Sequence, residues 1–255
     1  MVDIPEINKK KTLFVAISGA DSFGWKKPDS DLDLIYVKFS DLSKVISPFF
    51  SPRTTQRITG KLDEHFYPVE KYLGLLVEGN CNVLDNLFEP KLYQRTRLVK
   101  SLQKIVINNL HVGFIDHCLG YSKHLKKDLS NPVRIAKYGK PKLLLNRYRI
   151  VLQGFTLTSL GYNRIQYNLR DLLRNSVMQV SHGESLLDSY LHHSSEKYYR
   201  LLIPKAEEEV EMLDRILQSY RSNEHFNQYH NFVSRDKMKV ALKEWYYNIY
   251  RKKWI

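Results

Sequence analysis

Two aspartates separated by one residue are the side chains of this chain whose types and spacing most clearly predict chemistry. Asp31 and Asp33 begin an alternating run, Asp31 to Lys38, that we predict to be a β-strand. Side chains two positions apart on a strand share a face and lie about 7 Å apart. Carboxylates held so close repel each other and raise each other's pKa. A divalent cation relieves that repulsion, and hard oxygen ligands beside a phosphate-bearing substrate favour Mg²⁺.

A third acidic side chain is expected to join this pair. Lys61 to Tyr67 is predicted to be another strand, in which Leu62 and Phe66 face the core. Asp63 then faces the cleft, and the same alternation disfavours Glu64, the competing acid. Three carboxylates can hold two Mg²⁺ ions, or Mn²⁺ in their place, about 3.5–4 Å apart, where the ions activate a hydroxyl group and neutralise a pyrophosphate leaving group.

A glycine-containing turn precedes the two aspartates. The apolar run from Thr12 to Ile17 is predicted to be a buried strand, and Gly19 begins the turn that follows it. Backbone N–H groups in such a turn can bind phosphate oxygens. The order of these parts (a strand, a glycine turn, an Asp-x-Asp strand and another acidic strand) is far more specific than any one part alone.

The segment SGADSFGWKKPDSDLD, residues 18–33, resembles the signature of the DNA polymerase β-like nucleotidyltransferase superfamily, in which a Gly-Ser turn precedes Asp-x-Asp. The resemblance is closest to predicted nucleotidyltransferases associated with RNA repair, whose pattern is similar to SGSRxxGxxxxDSDxD. The matching positions are Ser18, Gly19, Gly24, Asp29, Ser30, Asp31 and Asp33. The resemblance continues over residues 75–90 and, more faintly, in a helix predicted from residue 142 to 161.

The resemblance implies the transfer of a nucleoside monophosphate from a nucleoside triphosphate to an acceptor hydroxyl. It assigns the metal ions and catalysis to Asp31, Asp33 and Asp63, the phosphate turn to Ser18, Gly19 and Ser30, and substrate-binding cations of a helical domain to Lys142 and Arg149. Asp63 is expected, in addition, to help deprotonate the acceptor.

Two departures from the family pattern support a different interpretation. Ala20 stands where the pattern has serine, so a phosphate-binding hydroxyl is lost. Asp21 stands where the pattern often has arginine, which adds a negative charge beside the phosphate turn. The alternative is therefore a catalytically inactive nucleotide- or nucleic-acid-binding protein that retains the nucleotidyltransferase fold.

The character of the sequence changes near residue 90. Short strand-like runs precede this point, and apolar residues at helical spacing follow it. We therefore expect an α+β chain, with a small nucleotidyltransferase domain over residues 1–92, in which helices flank a mixed β-sheet, and an all-helical C-terminal domain over residues 93–255 that binds substrate or a partner. Residues 51–60 are predicted to be a loop, and Asn80 and Asn82 are predicted to cap a short helix that ends at Phe88.

The charge of the chain indicates its partners. The 255 residues include 40 Lys and Arg against 27 Asp and Glu, which gives a formal net charge of +13. Such an excess attracts polyanions, which favours RNA or another polyanionic acceptor besides the triphosphate. A protein or small-molecule acceptor stays open, as does a surface that is merely basic.

The sequence also predicts where the protein works. No apolar run approaches the roughly 18 residues of a membrane span, and the start lacks the apolar core of a secretory signal. We therefore expect a cytoplasmic protein without a membrane partner. The segment from residue 245 to 255 alternates aromatic and basic side chains, which either stack on single-stranded nucleic acid or pack as one face of a helix.

Overall fold

The structure, a computed structural model, describes residues 11–47, 49–89, 92–159, 168–176, 178, 180–192, 196–223 and 232–254. The chain divides into two compact units. The first comprises residues 1–22, 29–113 and 232–255, and the second comprises residues 23–28 and 114–231. This division differs from the boundary expected between residues 92 and 93, because one helix beyond that boundary and the last helix of the chain belong to the first unit.

A five-stranded sheet is the centre of the first unit. Its strands are β1 (Thr12–Ser18), β2 (Leu32–Lys38), β3 (Thr55–Thr59), β4 (Leu62–Pro68) and β5 (Leu92–Arg95), in the spatial order β3-β4-β2-β1-β5. Strands β2 and β4 run parallel, whereas the other neighbouring pairs are antiparallel. The sheet is therefore mixed, as expected.

Alternation along the strands separates the two faces of this sheet. One face carries a buried apolar cluster, against which two further side chains pack: Val15, Ile17, Leu34, Tyr36 and Leu62, with Leu32 and Phe66. On the other face the ring of Phe14 meets the ring of Tyr72 edge-on, with the two centroids 5.5 Å apart. Leu62 and Phe66 thus lie on the same apolar face, as predicted, and Asp63 points to the opposite face.

The prediction that residues 51–60 form a loop is wrong, because this segment contains the edge strand β3. All five residues of β3 are exposed, so no apolar alternation marks the strand in the sequence. Backbone pairing with β4 defines the strand instead: Thr55 lies opposite Phe66, and Thr59 lies opposite Leu62. Gly60, with a φ of 58°, allows the tight connection between the two strands.

Helices connect and flank the strands of the sheet. They are α1 (Gly19–Phe23), α2 (Leu42–Val45), α3 (Val69–Val77), α4 (Cys81–Phe88) and α5 (Arg97–Asn108). The side chain of Asn80 accepts hydrogen bonds from the backbone N–H groups of Asn82 and Val83, at 3.0 and 3.3 Å. Asn80 therefore caps α4, as predicted, because it satisfies N–H groups that have no partner within the first turn of a helix, whereas Asn82 is a residue of the helix and not its N-cap.

The last helix (Arg235–Trp254) packs on α3 and α5 of the first unit. The indole N–H of Trp245 donates to Ser101 Oγ at 2.8 Å, and the hydroxyl of Tyr246 donates to a carboxylate oxygen of Glu70 at 2.5 Å. Trp245 and Ile249 are both more than nine-tenths buried. These aromatic side chains therefore pack within the unit, which is one of the two interpretations of the basic and aromatic segment.

The described residues of the second unit form helices and their connections. The helices are α6 (Gly113–Asp128), α7 (Pro132–Tyr138), α8 (Lys140–Ser159), α9 (Leu169–Arg174), α10 (Ser181–Leu191) and α11 (Glu196–Ser222). The central helix is α8, which contacts α7, α9, α10 and α11. The expected α+β class, a mixed sheet with flanking helices followed by a helical region, is confirmed. In the part of the chain that the structure describes, no helix is both long and apolar enough to cross a membrane.

Replacing Asn80 with alanine tests the cap of α4. Asn80→Ala should lower the free energy of unfolding by about 1 kcal/mol, because two backbone N–H groups lose their acceptor. Asn80→Asp keeps an acceptor oxygen at the same position and is the matched control, with a stability close to that of the wild type. Urea unfolding followed by circular dichroism measures both variants, and equal losses in the two would contradict the capping role.

Candidate functional site

The parallel pairing of β2 and β4 places two of the predicted metal ligands side by side. Asp33 is the register partner of Asp63 on β4 and of Ser18 on β1. Neighbouring strands lie about 4.7–4.9 Å apart, and directly paired residues share a face of the sheet. Ser18, Asp33 and Asp63 therefore form one row across three strands, on the face opposite the apolar cluster.

The carboxylate of Asp63 is held by two neighbouring side chains. The amide nitrogen of Gln56 on β3 donates to both of its oxygens, at 2.8 and 2.9 Å. His65 Nε2 lies 3.4 Å from Asp63 Oδ1, since residues two apart on β4 share a face. The sequence did not reveal Gln56, because residues 51–60 are predicted to be a loop. A prediction that this segment forms a hairpin with β4 would have placed Gln56 beside Asp63.

Gly19 brings the backbone of the predicted phosphate turn against the carboxylate of Asp33. Its φ is +63°, which side chains of L residues rarely allow, and a Cβ atom built on Gly19 would lie 1.7 Å from Asp33 Oδ2. Glycine is therefore required here for its conformation and for its lack of a side chain. The structure thus adds a direct contact with Asp33 to the N–H cradle expected at Gly19.

The other residues predicted for this site include Ser30 and Asp31, which precede β2 in the chain. Asp31 is exposed and immediately precedes β2, and Ser18 and Ser30 are half-buried. Among the described residues, no three His, Cys, Asp or Glu side chains form a group that could hold a metal ion. The structure therefore brings Asp33 and Asp63 together without placing Asp31 in one cluster with them, and the roles of all three stay predictions.

Lys142 and Arg149, the predicted substrate-binding cations, lie in the second unit on α8. The Arg149 side chain is only 1% exposed, and its guanidinium group lies 3.9 Å from the centroid of the Phe23 ring. Its Nε donates to Asn146 Oδ1 at 3.1 Å, and Nη1 donates to Gln153 Oε1 at 3.4 Å. These contacts give Arg149 a packing function inside the helical unit. Lys142 is half-buried, and contact of either cation with a substrate stays a prediction.

The arginine also affects a neighbouring histidine of the second unit. Burial lowers the pKa of His117, and the positive charge of Arg149 lowers this pKa further. Both effects disfavour a second positive charge at this position. His117 is consequently more weakly basic than a histidine in water.

Glu64, the competing acid on β4, lies on the opposite face from Asp63. Its side chain is buried, and Arg57 Nε donates to its Oε2 at 2.6 Å. Burial by itself would raise the pKa of Glu64, but hydrogen bonds from Arg57 and Tyr36 outweigh this effect, so the pKa lies below its ordinary value. Glu64 is thus an ionised partner of Arg57, and strand alternation separates it from the row of Asp33 and Asp63.

Paired aspartates on neighbouring strands beside a glycine turn, in a mixed sheet, are the features expected of a polymerase β-like nucleotidyltransferase. The sequence matches the RNA repair pathway DNA polymerase beta family (RlaP) over residues 1–181. This match covers well over half of the chain, and the chain therefore belongs to that family.

One similar solved structure is a nucleotidyltransferase-like protein from Exiguobacterium sibiricum 255-15. It is 12% identical, with a TM-score of 0.33, over 95% of this chain and 86% of that chain. A similarity this low supports no conclusion about function. Among curated proteins, none matches the chain.

Two glycines with the same backbone conformation allow the contact at Gly19 to be measured. Gly60 also has a positive φ, of 58°, but a Cβ atom there would have nothing within 4 Å. Gly60→Ala should lower the free energy of unfolding by about 1–2 kcal/mol, the cost of the left-handed conformation. Gly19→Ala should cost about 1–3 kcal/mol more, because Asp33 or the turn must shift. Urea unfolding compares the two variants. An equal decrease in the free energy of unfolding would show that the close approach of Gly19 to Asp33 does not contribute to the cost of the substitution.

The ion pair between the buried Glu64 and the exposed Arg57 predicts how stability depends on pH. A folded-state pKa below the ordinary value of 4.5 stabilises the fold above about pH 4.5, and this contribution is lost as the pH falls through the lowered pKa. The free energy of unfolding of Glu64→Gln should therefore decrease less than that of the wild type as the pH is lowered below about 5. Glu78→Gln, at an exposed glutamate after α3, is the control and should keep the wild-type slope. Urea unfolding over this pH range gives both curves.

Proposed function

We propose that this protein is a metal-dependent nucleotidyltransferase, which transfers a nucleoside monophosphate from a nucleoside triphosphate to an acceptor hydroxyl, with RNA as the favoured acceptor. Membership of a polymerase beta family supports the general class. The observation that carries the proposal is the register of Asp33 with Asp63 across two parallel strands. A folded protein gains little from two acids in adjacent positions, because their charges repel.

The residues present fit a divalent metal ion. Mg²⁺ is usually bound by one or two carboxylates, with phosphate oxygens of the substrate and water completing its shell, and needs no cage made entirely of protein ligands. Asp33 and Asp63 would supply the two carboxylates, and Asp31, just before β2, would join them as a further ligand. When bound, one or two Mg²⁺ ions, or Mn²⁺ in their place, would neutralise charge on the transferred phosphate and on the leaving pyrophosphate.

The protein's own side chains would have distinct tasks in this reaction. Asp63 would accept the proton of the acceptor hydroxyl, which requires its carboxylate to exchange the amide of Gln56 for the substrate. The N–H groups of the turn at Gly19 would bind triphosphate oxygens beside Asp33, with Ser18 and Ser30 at the edges of that turn. Lys142 and Arg149 are proposed as further contacts to the substrate.

The second candidate function is a catalytically inactive protein that binds nucleotide or nucleic acid through the same fold. The observation that favours it is the composition of α1, where Ala20 and Asp21 replace the hydroxyl and the basic side chain of the family pattern. Asp21 adds a negative charge to the first turn of α1, the helix that begins at Gly19, and this charge weakens the attraction of a triphosphate. The two acids in register favour the enzyme over this candidate.

An incorporation assay distinguishes the enzyme from the inactive binder. The protein is incubated with Mg²⁺, each labelled nucleoside triphosphate in turn, and total RNA or cell lysate. Asp33→Ala should reduce incorporation about 10³-fold, equivalent to about 4 kcal/mol of activation barrier. Asp41→Ala removes a carboxylate that lies beyond the far end of β2, where it pairs with Lys11 at the surface, and should leave the rate unchanged. Triphosphate binding without turnover, insensitive to Asp33→Ala, would support the inactive binder instead.

A further inference from the structure

A groove in the helical unit has a charge and a shape that nothing in the proposed transfer requires. It has a volume of about 650 Å³ and lies between the end of α6 and the middle of α11. Its charged lining residues are Lys123, Lys126, Lys127, Glu211, Asp214 and Arg215. The volume is in the range of pockets that take nucleotides and comparable ligands.

Both acids of the groove are neutralised by cations of the same unit. Glu211 forms ion pairs with Lys126, at 2.6 Å, and with the buried Arg147, at 2.7 Å. Burial alone would raise the pKa of Glu211, but the hydrogen bonds from Lys126 and Arg147 lower it, so the group is ionised. Arg147 also pairs with Asp214, at 3.2 Å. The acids of the groove therefore do not offset its other cations.

Three cations at the rim of the groove remain for a ligand. Lys123, Lys127 and Arg215 are exposed, and among the described residues none of the three forms an ion pair with a carboxylate. The polar contact of Arg215 is with the backbone oxygen of Glu211, at 3.4 Å. The groove therefore has a net positive charge and is suited to an anion.

The arrangement of the two lysines suits a chain of phosphates better than a single one. Lys123 and Lys127 are four residues apart on α6, so they share a face of the helix and are separated by about 6 Å along its axis. Each strand of a duplex carries one negative charge about every 3.4 Å along the helix axis. About two phosphates of a strand therefore fall within the roughly 6 Å between the two lysines. A row of cations along an open groove can follow such a strand.

A buried acceptor in the same groove indicates that the ligand also carries a hydrogen-bond donor. Asp214 is 4% exposed, and its Oδ1 has no hydrogen-bond partner among the described residues. Leaving a buried carboxylate oxygen without a donor is costly. The exposed Gln218 contacts the other oxygen, at 3.4 Å, and a ligand that displaces this side chain reaches Asp214. Ribose hydroxyls and the amino groups of bases are donors of this kind.

We propose that this groove binds a single-stranded nucleic acid, with Lys123 and Lys127 on its phosphodiester backbone and Asp214 accepting a hydrogen bond from a ribose hydroxyl or a base. The strand is the acceptor class of the proposed transfer, and in this respect the proposal rests on that function. Binding itself requires neither a triphosphate nor turnover. The site can therefore be tested whether or not the protein is an enzyme.

The test measures binding of labelled 12-nucleotide RNA and DNA strands, by fluorescence anisotropy, at several salt concentrations. Each phosphate contact to a single strand contributes about −0.7 to the slope of log K against log salt. Lys123→Ala/Lys127→Ala should therefore make that slope less steep by about 1.4 and weaken binding on the order of tenfold at 0.1 M salt. Tighter binding of RNA than of DNA would assign the donor to the 2′-hydroxyl, and equal binding would assign it to a base.

A matched double variant controls for the loss of two charges. Arg174→Ala/Lys205→Ala removes two exposed cations of the same unit that do not line the groove, and it should keep the wild-type slope. Equal weakening by both double variants, no weakening by either, or binding of ATP alone and of neither strand would overturn the proposal. Asp33→Ala should bind both strands as the wild type does. A negative result for nucleotide incorporation can therefore be distinguished from a negative result for strand binding by the groove.

Discussion

The parallel hydrogen bonding between β2 and β4 is the constraint on which the rest of the site depends. It aligns Asp33 with Asp63 without any shift in register, and it places both carboxylates on the face opposite the apolar cluster. A slip of one residue would exchange Asp63 for Glu64, whose partner is Arg57 on the other face. Burial of Leu62 opposes such a slip, because the slip would turn this side chain out of the core.

Two neighbouring segments complete the surroundings of this pair. Gly19 has no side chain, and it therefore lets the turn after β1 approach Asp33. The edge strand β3 contributes Gln56, whose amide donates to both oxygens of Asp63. An amide that donates to both oxygens keeps the carboxylate oriented beside its like-charged neighbour. The site is thus built from one amide and two acids on three adjacent strands of the sheet, and from one glycine directly after β1.

Much of the fold and part of the site could be predicted from residue types and their spacing. The buried strand β1, the Asp-x-Asp strand, the alternation of β4 and the cap at Asn80 follow from local patterns, because each pattern reflects the period or the end of a single element. The strand β3 could not be predicted in this way, because its residues are all exposed and only its pairing with β4 defines it. The packing of the last helix on α3 and α5 depends on contacts more than a hundred residues apart, such as that of Trp245 with Ser101.

The sequence by itself determined three of the five strands (β1, β2 and β4), the change to helices beyond the sheet, the face on which Asp63 lies, and the family to which the signature at residues 18–33 points. These properties are local, since they depend on the period of a strand or helix and on motifs of consecutive residues. Only the tertiary structure decided that Asp33 and Asp63 are register partners, that Gln56 holds Asp63, and that Arg149 is buried against Phe23. Each of these depends on which distant segments pair or pack, and that choice is made by burial and backbone hydrogen bonding over the whole chain.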